Sequence, residues 1–438
     1  MLRKDERYYY GWVIVLVMSV SNAVTMGMGS LNFGLYIKPM GDDLLIGRAA
    51  FGWASTARSA AAAVTGPVIG RMLDVYGARY ILAIATLLTA VCMVYLAGIT
   101  DSWQLILAFA IMGFAGMSGP GALITSVPAT KWFIRDRGKA LALTSVGVSA
   151  GAMIFIPLTQ FFIHHYTWSG AWIILGILGA IIIVPLSIFL VRREPEDIGL
   201  LPDGDQEATM LSLEEVGSGE LSWTLKQAMS TVPMWTLTTA FSILATAIYT
   251  LALHRIPAFM DRGLDPGLVS IATAFDAVCA GAASFAAGMI VRKISTKVIG
   301  TVGFLLLALA SLMTIYAYSF WLMFWSMAIF GLGIGINMFT QNFIWAEYFG
   351  RGHLGTIRGV VMPLNLFLGG LGAPAAGYVL DKTGSYDPAW WVGVALMLVG
   401  AIVFSLSRNP GDPPILYCHI GLKPRDTGAI YDRATADY

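Results

Sequence analysis

The sequence predicts an all-α polytopic membrane protein of twelve transmembrane helices, arranged as two related six-helix bundles. Three observations lead there. The 438 residues are 57% hydrophobic and only 12% charged, against about 25% charged and about 45–50% apolar in a soluble domain. The apolar residues gather into long runs near the roughly 20 residues that a bilayer core requires. Lysine and arginine fall mostly on one side of those runs. A water-soluble enzyme, a disulfide-stapled secreted domain and a nucleic-acid binder are excluded by this composition. Net charge is +1, and Cys92, Cys279 and Cys418 are scattered, with neither a disulfide framework nor a metal-ligand spacing.

Taken in order, the runs are uninterrupted by charge clusters and separated by short polar turns. The first, 11–36, follows Arg3, Lys4 and Arg7 as the core of a signal peptide would, but it is too long for one and is expected to remain as helix 1. Helices 2 to 6 fall on 50–69, 80–99, 104–127, 140–163 and 170–191. Helices 7 to 12 fall on 234–254, 268–290, 299–318, 321–345, 360–380 and 390–407. The weakly alternating ten-residue segments of an outer-membrane barrel are absent. Between the sixth and seventh runs, residues 192–233 are polar and acidic and read as a linker. The organisation is therefore a bundle over 1–191, a linker over 192–233, a bundle over 234–407 and a polar tail over 408–438.

With the N-terminus in the cytoplasm, only Lys38, Arg48, Arg255, Arg262 and Lys382 fall outside, and Arg58 lies within a span. All remaining basic residues fall inside, so both termini, the linker and the tail are expected in the cytoplasm, in an inner (plasma) membrane.

The two halves repeat locally. Gly70-x-x-x-Asp74-x-x-Gly77-x-Arg79 between helices 2 and 3 is matched by Gly288-x-x-x-Arg292-x-x-Ser295-x-Lys297 between helices 8 and 9. Arg137-Gly138 before helix 5 is matched by Arg358-Gly359 before helix 11, and Gly151 by Gly372. Parallel six-helix repeats are a transporter plan, in which one half rocks against the other around a central site.

The stretch from Gly70 to Arg79 resembles the loop signature of the major facilitator superfamily. Within that superfamily, Tyr8-Tyr9-Tyr10-Gly11-Trp12, Trp132-Phe133 with Arg137-Gly138, and Tyr348-Phe349-Gly350-Arg351-x-His353-Leu354-Gly355 resemble bacterial monocarboxylate and oxalate/formate-type carriers. So does Gly377 with Asp381-x-x-Gly384-Ser385-Tyr386. The resemblance implies secondary transport of a small organic anion by alternating access, by proton symport or anion exchange, from a monomer without cofactor. It also implies a latch for one access state from Gly70, Asp74, Gly77, Arg79 and Arg137. This chain departs from the pattern in three places. Ala280 stands where an arginine follows the helix 8 aspartate, Leu31 stands where helix 1 carries a lysine, and 360–380 contains no lysine.

Ionisable groups within spans cost about 2.5–3.5 kcal/mol on insertion scales, which makes them functional candidates by default. Two stand out: Arg58 in helix 2 and Asp276 in helix 8. Each precedes its repeat glycine, Gly70 or Gly288, by the same interval, so both belong at one depth on opposite sides of a cavity. A guanidinium suits a carboxylate because it donates parallel hydrogen bonds, and a carboxylate in a low dielectric can carry a proton. Arg58 is accordingly assigned the substrate anion and Asp276 the coupling proton; the bland alternative is a buried structural pair. Asn32, Tyr36, Tyr249, Asn337, Gln341 and Asn365 are further candidates on helices expected to line the cavity. His254-Arg255 reads as a polar pair at the outer end of helix 7, gating or snorkelling.

Other classes fit less well. No GxxxxGK[ST] loop appears, so ATP is not the direct energy source. A proton-driven exporter of the same fold would carry a Gly-Pro-x-x-Gly-Gly-like run in helix 5, where this chain reads Gly147-Val-Ser-Ala-Gly151-Ala-Met-Ile-Phe-Ile-Pro157. Neither a nucleophile–base cluster nor a metal set is visible, so no enzyme is indicated, and the partners expected are the anion, protons and lipid.

Overall fold

The bilayer leaves a chain no water for its backbone amides, so helices that satisfy their own hydrogen bonds are the economical way across. The computed structural model describes residues 9–29, 31–116, 123–133, 136–201, 223–291, 293–350 and 354–411, and these form helices and turns throughout. Among the described residues, eight helical stretches are long and apolar enough to cross a membrane. One of them, within Arg137–Leu190, supplies two crossings, because the chain reverses at Tyr166 and Thr167, where the backbone leaves helical geometry. Helix 1 (Gly11–Thr25 and Phe33–Leu44), helix 2 (Arg48–Tyr76) and helix 4 (described as Ser102–Phe114 and Leu123–Trp132) bring the crossings among the described residues to twelve. The others are helix 3 (Ala78–Leu96), helix 7 (Val232–Ala252 and Arg255–Asp261) and helix 8 (Pro266–Ile290). They continue with helix 9 (Thr296–Ile315), helix 10 (Phe320–Phe349), helix 11 (Leu354–Gly370 and Gly372–Thr383) and helix 12 (Asp387–Leu406).

Short-range chemistry sets the ends. Gly77 (φ +75°) turns the chain between helices 2 and 3 in a backbone region that favours glycine. Asp265 caps helix 8 by accepting from the Leu268 amide at 2.9 Å, with Pro266 at the first helical position. Large apolar side chains such as Leu16, Val64, Ile84, Val91, Ile181, Phe189, Phe285 and Ile402 stay exposed on the outside, as a lipid-facing belt requires. Inside, glycines allow helices to touch along their backbones.

Those glycines display the internal repeat in three dimensions. A Cβ on Gly113 of helix 4 would strike the carbonyl of Arg58, and one on Gly331 of helix 10 would strike the carbonyl of Asp276. Gly147 and Gly151 of helix 5 lie on the backbone of helix 1 at Ser19 and Ala23. Gly369 and Gly372 of helix 11 lie on helix 7 at Ala245 and Thr246. The same packing rule has been used once in each half.

The halves meet tightly at one end. One apolar cluster starts in the first half and continues through Ile256, Phe259, Met260, Val269, Met323 and Met327 of the second. Gly52 of helix 2 sits against the backbone of Ala373 and Pro374, and Gly377 against Ala49. Asp381 accepts from the amides of Arg48 and Ala49 at 3.0 and 3.1 Å, capping the first turn of helix 2 from the other half. Asp261 pairs with Lys38 at 2.7 Å and with Arg48 at 3.3 Å. This end is closed.

The structure differs from the sequence reading in continuity. Helices 1, 7 and 11, each expected as one run, are interrupted after Thr25, after Ala252 and at Leu371. Apolar residues flank each interruption, so hydropathy averaged over a span does not register it. Of the predicted linker, residues 202–222 lie outside the described residues, as does the tail from 412 onward.

Candidate functional site

Arg58 and Asp276 occupy matched places, each ten residues past the start of its helix, at Arg48 and Pro266. Both are buried, at 5% and 4% exposure. Each engages the interruption in the first helix of its own half. Arg58 donates through Nη1 to the Gly29 carbonyl within the break of helix 1, with its guanidinium 5.9 Å from the centre of the Phe109 ring. Asp276 accepts from Nη2 of Arg255, which begins the second segment of helix 7. The repeat thus places opposite charges at equivalent points, one holding a loose carbonyl and the other holding an arginine.

The break of helix 1 is further braced by Asn32. Its Oδ1 accepts from the Gly29 amide at 3.1 Å, while its Nδ2 donates to the Gly27 carbonyl and the Thr159 hydroxyl, both at 3.0 Å. Arg58 and Asn32 therefore meet on one short turn. Tyr249 of helix 7 reaches across from the other half and shares a hydrogen bond with Ser59, beside Arg58. Tyr36 is fully buried, its ring stacked on Trp172 at 4.0 Å and its hydroxyl without a partner.

The remaining candidates lie in the second half, away from this turn. Asn365 of helix 11 accepts from Ser242 at 2.7 Å and keeps Nδ2 unpartnered. The Asn337 amide packs at Gly303 of helix 9 and donates to the Gly333 carbonyl at 2.9 Å, with Oδ1 unpartnered. Gln341 is half-buried one turn further along helix 10. Of the latch residues, Gly77 lies against Arg193, and the Arg79 guanidinium lies 5.2 Å from the Tyr80 ring centre. No atom would crowd a Cβ on Gly70. The side chains of Asp74 and Arg137 lie outside the described residues.

Sequence reasoning misplaced Arg255. Assigned to the outer mouth, it is 2% exposed and points inward to Asp276, with its guanidinium 4.0 Å from the Phe330 ring centre. The signal was present, since Ile256-Pro257-Ala258-Phe259-Met260 extends the apolar run beyond it. His254 is buried as well, with one ring nitrogen 2.7 Å from the Ala373 carbonyl and the other 3.4 Å from the Tyr386 hydroxyl. Among the described residues, no group of three metal-ligating side chains gathers.

Comparison with known proteins agrees with this architecture. The family model of the Major Facilitator Superfamily matches residues 17–373. Monocarboxylate transporter 13 of Bos taurus is 24% identical over 407 residues, covering 90% of this chain and 88% of the relative. The oxalate:formate antiporter of Oxalobacter formigenes is 24% identical over 377 residues, covering 85% of each. The crystal structure of the nucleoside transporter NupG superposes with a TM-score of 0.70 at 14% identity, covering 91% of this chain and 98% of that one, which speaks to the fold alone. With twelve crossings in two repeated bundles and a matching model over most of its length, the chain belongs to the Major Facilitator Superfamily and is a multi-pass membrane transporter rather than an enzyme.

Proposed function

We propose that this protein carries a small organic anion of the monocarboxylate type by alternating access, as a proton symporter or an anion exchanger. The observation that carries the reading is the buried Arg58, a guanidinium at mid-depth beside a broken helix and a tyrosine from the opposite half. A buried cation attracts a carboxylate far more strongly than an exposed one, because water no longer competes. A carboxylate drawing Arg58 away from the Gly29 carbonyl would free the break of helix 1, linking binding to movement. Asp276 is assigned the proton: neutralising it releases Arg255 and the corresponding break in helix 7. The relatives named monocarboxylate transporter and oxalate:formate antiporter support the substrate class. The basic-residue asymmetry supports an orientation with both termini in the cytoplasm, which turns the closed end outward. A plasma-membrane location and a working monomer belong to the same reading, with Gly70, Asp74, Gly77, Arg79 and Arg137 latching the inner side.

Purified protein in proteoliposomes tests this directly. Labelled lactate, pyruvate, oxalate, formate and an aromatic acid are offered with and without an inward proton gradient. Uptake of at least one acid is expected, either stimulated by the gradient or requiring preloaded carboxylate. No uptake of any acid under either condition contradicts the assignment. A proton-driven exporter of other solutes is the competing reading, and Arg58 disfavours it by repelling the cations such pumps commonly carry.

A further inference from the structure

Among the described residues, three ionised side chains lie buried: Arg58, Arg255 and Asp276. A buried charge whose hydrogen bonds are not all filled calls for a partner that arrives from outside. Arg255 shows which donors are left for that partner. Only Nη2 is satisfied, by Asp276, while Nε and Nη1 are buried without any partner. On Asp276, Oδ1 is likewise unpartnered. A buried donor left empty is costly, and a purely structural ion pair would avoid that cost by filling its hydrogen bonds.

The surroundings fix the group in place. The Phe330 ring lies 4.0 Å from the guanidinium carbon, holding the plane by cation–π attraction. Gly331, next on helix 10, brings the Asp276 backbone close enough that a Cβ would strike its carbonyl, so the acceptor is held as firmly as the donor. Ile256, beside Arg255, abuts Gly34 of helix 1, placing this pair where the two halves meet.

We propose that Arg255 is a second carboxylate-binding group, oriented by Asp276 and Phe330, whose free Nε and Nη1 take the substrate anion. The inference rests on the anion-carrier reading, and it adds a residue from helix 7 to an anion site otherwise built on Arg58. Asp276 then serves as a positioning residue for Arg255 while that pair is intact.

A purely structural pair and a binding group respond differently when both charges are removed together. In Arg255→Gln/Asp276→Asn no charge is stranded, so the full-length protein in detergent should melt close to wild type. Its affinity for the carried acid of the lactate, pyruvate, oxalate and formate panel, read from ligand-induced shifts in the melting curve, should fall at least about tenfold, as expected for loss of a charge-assisted contact. Arg255→Lys keeps the charge beside Asp276 but loses the Nε and Nη1 donors, and should show the same loss, which covers the case of a double variant that does not fold. Binding within about twofold of wild type by either folded variant overturns the proposal and leaves the anion-carrier reading intact. Failure of the wild type itself to bind any acid overturns both.

Discussion

At the scale of single residues, the centre is defined by how completely each buried charge is satisfied. Arg58 rests on a backbone carbonyl and an aromatic face, a partnership that a carboxylate can outbid because charge-assisted bonds are roughly twice as strong as neutral ones. Lysine supplies the charge but not the planar fork. Arg58→Lys is therefore expected to lower carboxylate affinity by about tenfold or more, measured by ligand-induced stabilisation, with folded yield preserved. Asp276→Asn strands Arg255 in the interior, where breaking a buried pair costs about 3–5 kcal/mol. Its melting temperature should drop clearly below wild type, and adding Arg255→Gln should restore it. A single variant as stable as the wild type would mean that water reaches Arg255.

Some of these residues were legible in the sequence and others were not. Arg58 and Asp276 were, because a charge within an apolar run is rare and its position can be checked against the repeat. Tyr249 follows from its place on helix 7. Arg255 was misplaced because residue type does not reveal whether a side chain near a helix end reaches out to the interface or back into the core, and only the apolar run beyond it pointed inward. Asn337 raises the same difficulty, since only the fold shows its amide turned toward Gly303 of helix 9.

At the scale of elements, the closed end is a set of separable fasteners. Asp381 caps helix 2 across the halves, Gly52 and Gly377 bring helices 2 and 11 into backbone contact, and Asp261 pairs with Lys38 and Arg48. Thr56 adds a hydrogen bond to the Gly370 carbonyl. A helix cap contributes about 1 kcal/mol, so Asp381→Ala should shift the balance between closed and open forms about fivefold toward opening. Ile256→Cys, placed where helix 7 meets Gly34, reports that shift through its rate of labelling by a membrane-impermeant maleimide added from outside. Asp381→Asn retains a capping oxygen and should label more slowly than Asp381→Ala. Equal labelling in wild type and Asp381→Ala would show that the cap does not restrain this end. Gly52→Ala forces a methyl into the backbone of Ala373 and Pro374 and should open the same end further.

The interruptions in helices 1, 7 and 11 escape sequence reading for a physical reason. Bilayer insertion is read from hydrophobicity averaged over a span, and a turn of apolar residues leaves that average unchanged. Only glycines mark these places, Gly27 and Gly29 in helix 1 and Gly369, Gly370 and Gly372 around Leu371, and glycine is common within membrane helices. The reversal at Tyr166 and Thr167, by contrast, falls in the polar gap between the expected runs 140–163 and 170–191, and Thr167 takes a positive φ of 64° without glycine's freedom.

At the scale of the whole molecule, the repeat accounts for the design. One six-helix plan is used twice, with glycines at matched contacts and a charge at one matched depth, so that opposite charges come to stand at equivalent points. Each charge engages the break in the first helix of its own half. On this account an anion acts on the hinge of one half and a proton on the hinge of the other, and transport couples the two.

Counterflow in proteoliposomes tests that claim most directly, because exchange of labelled for unlabelled carboxylate needs the binding site but no driving force. Wild type, Arg58→Gln and Asp276→Asn are compared at equal amounts of folded protein, first for counterflow and then for accumulation driven by a proton gradient. The account predicts that Arg58→Gln loses both activities, while Asp276→Asn keeps counterflow and loses gradient-driven accumulation. Counterflow at the wild-type rate in Arg58→Gln, or undiminished gradient-driven accumulation in Asp276→Asn, would contradict it.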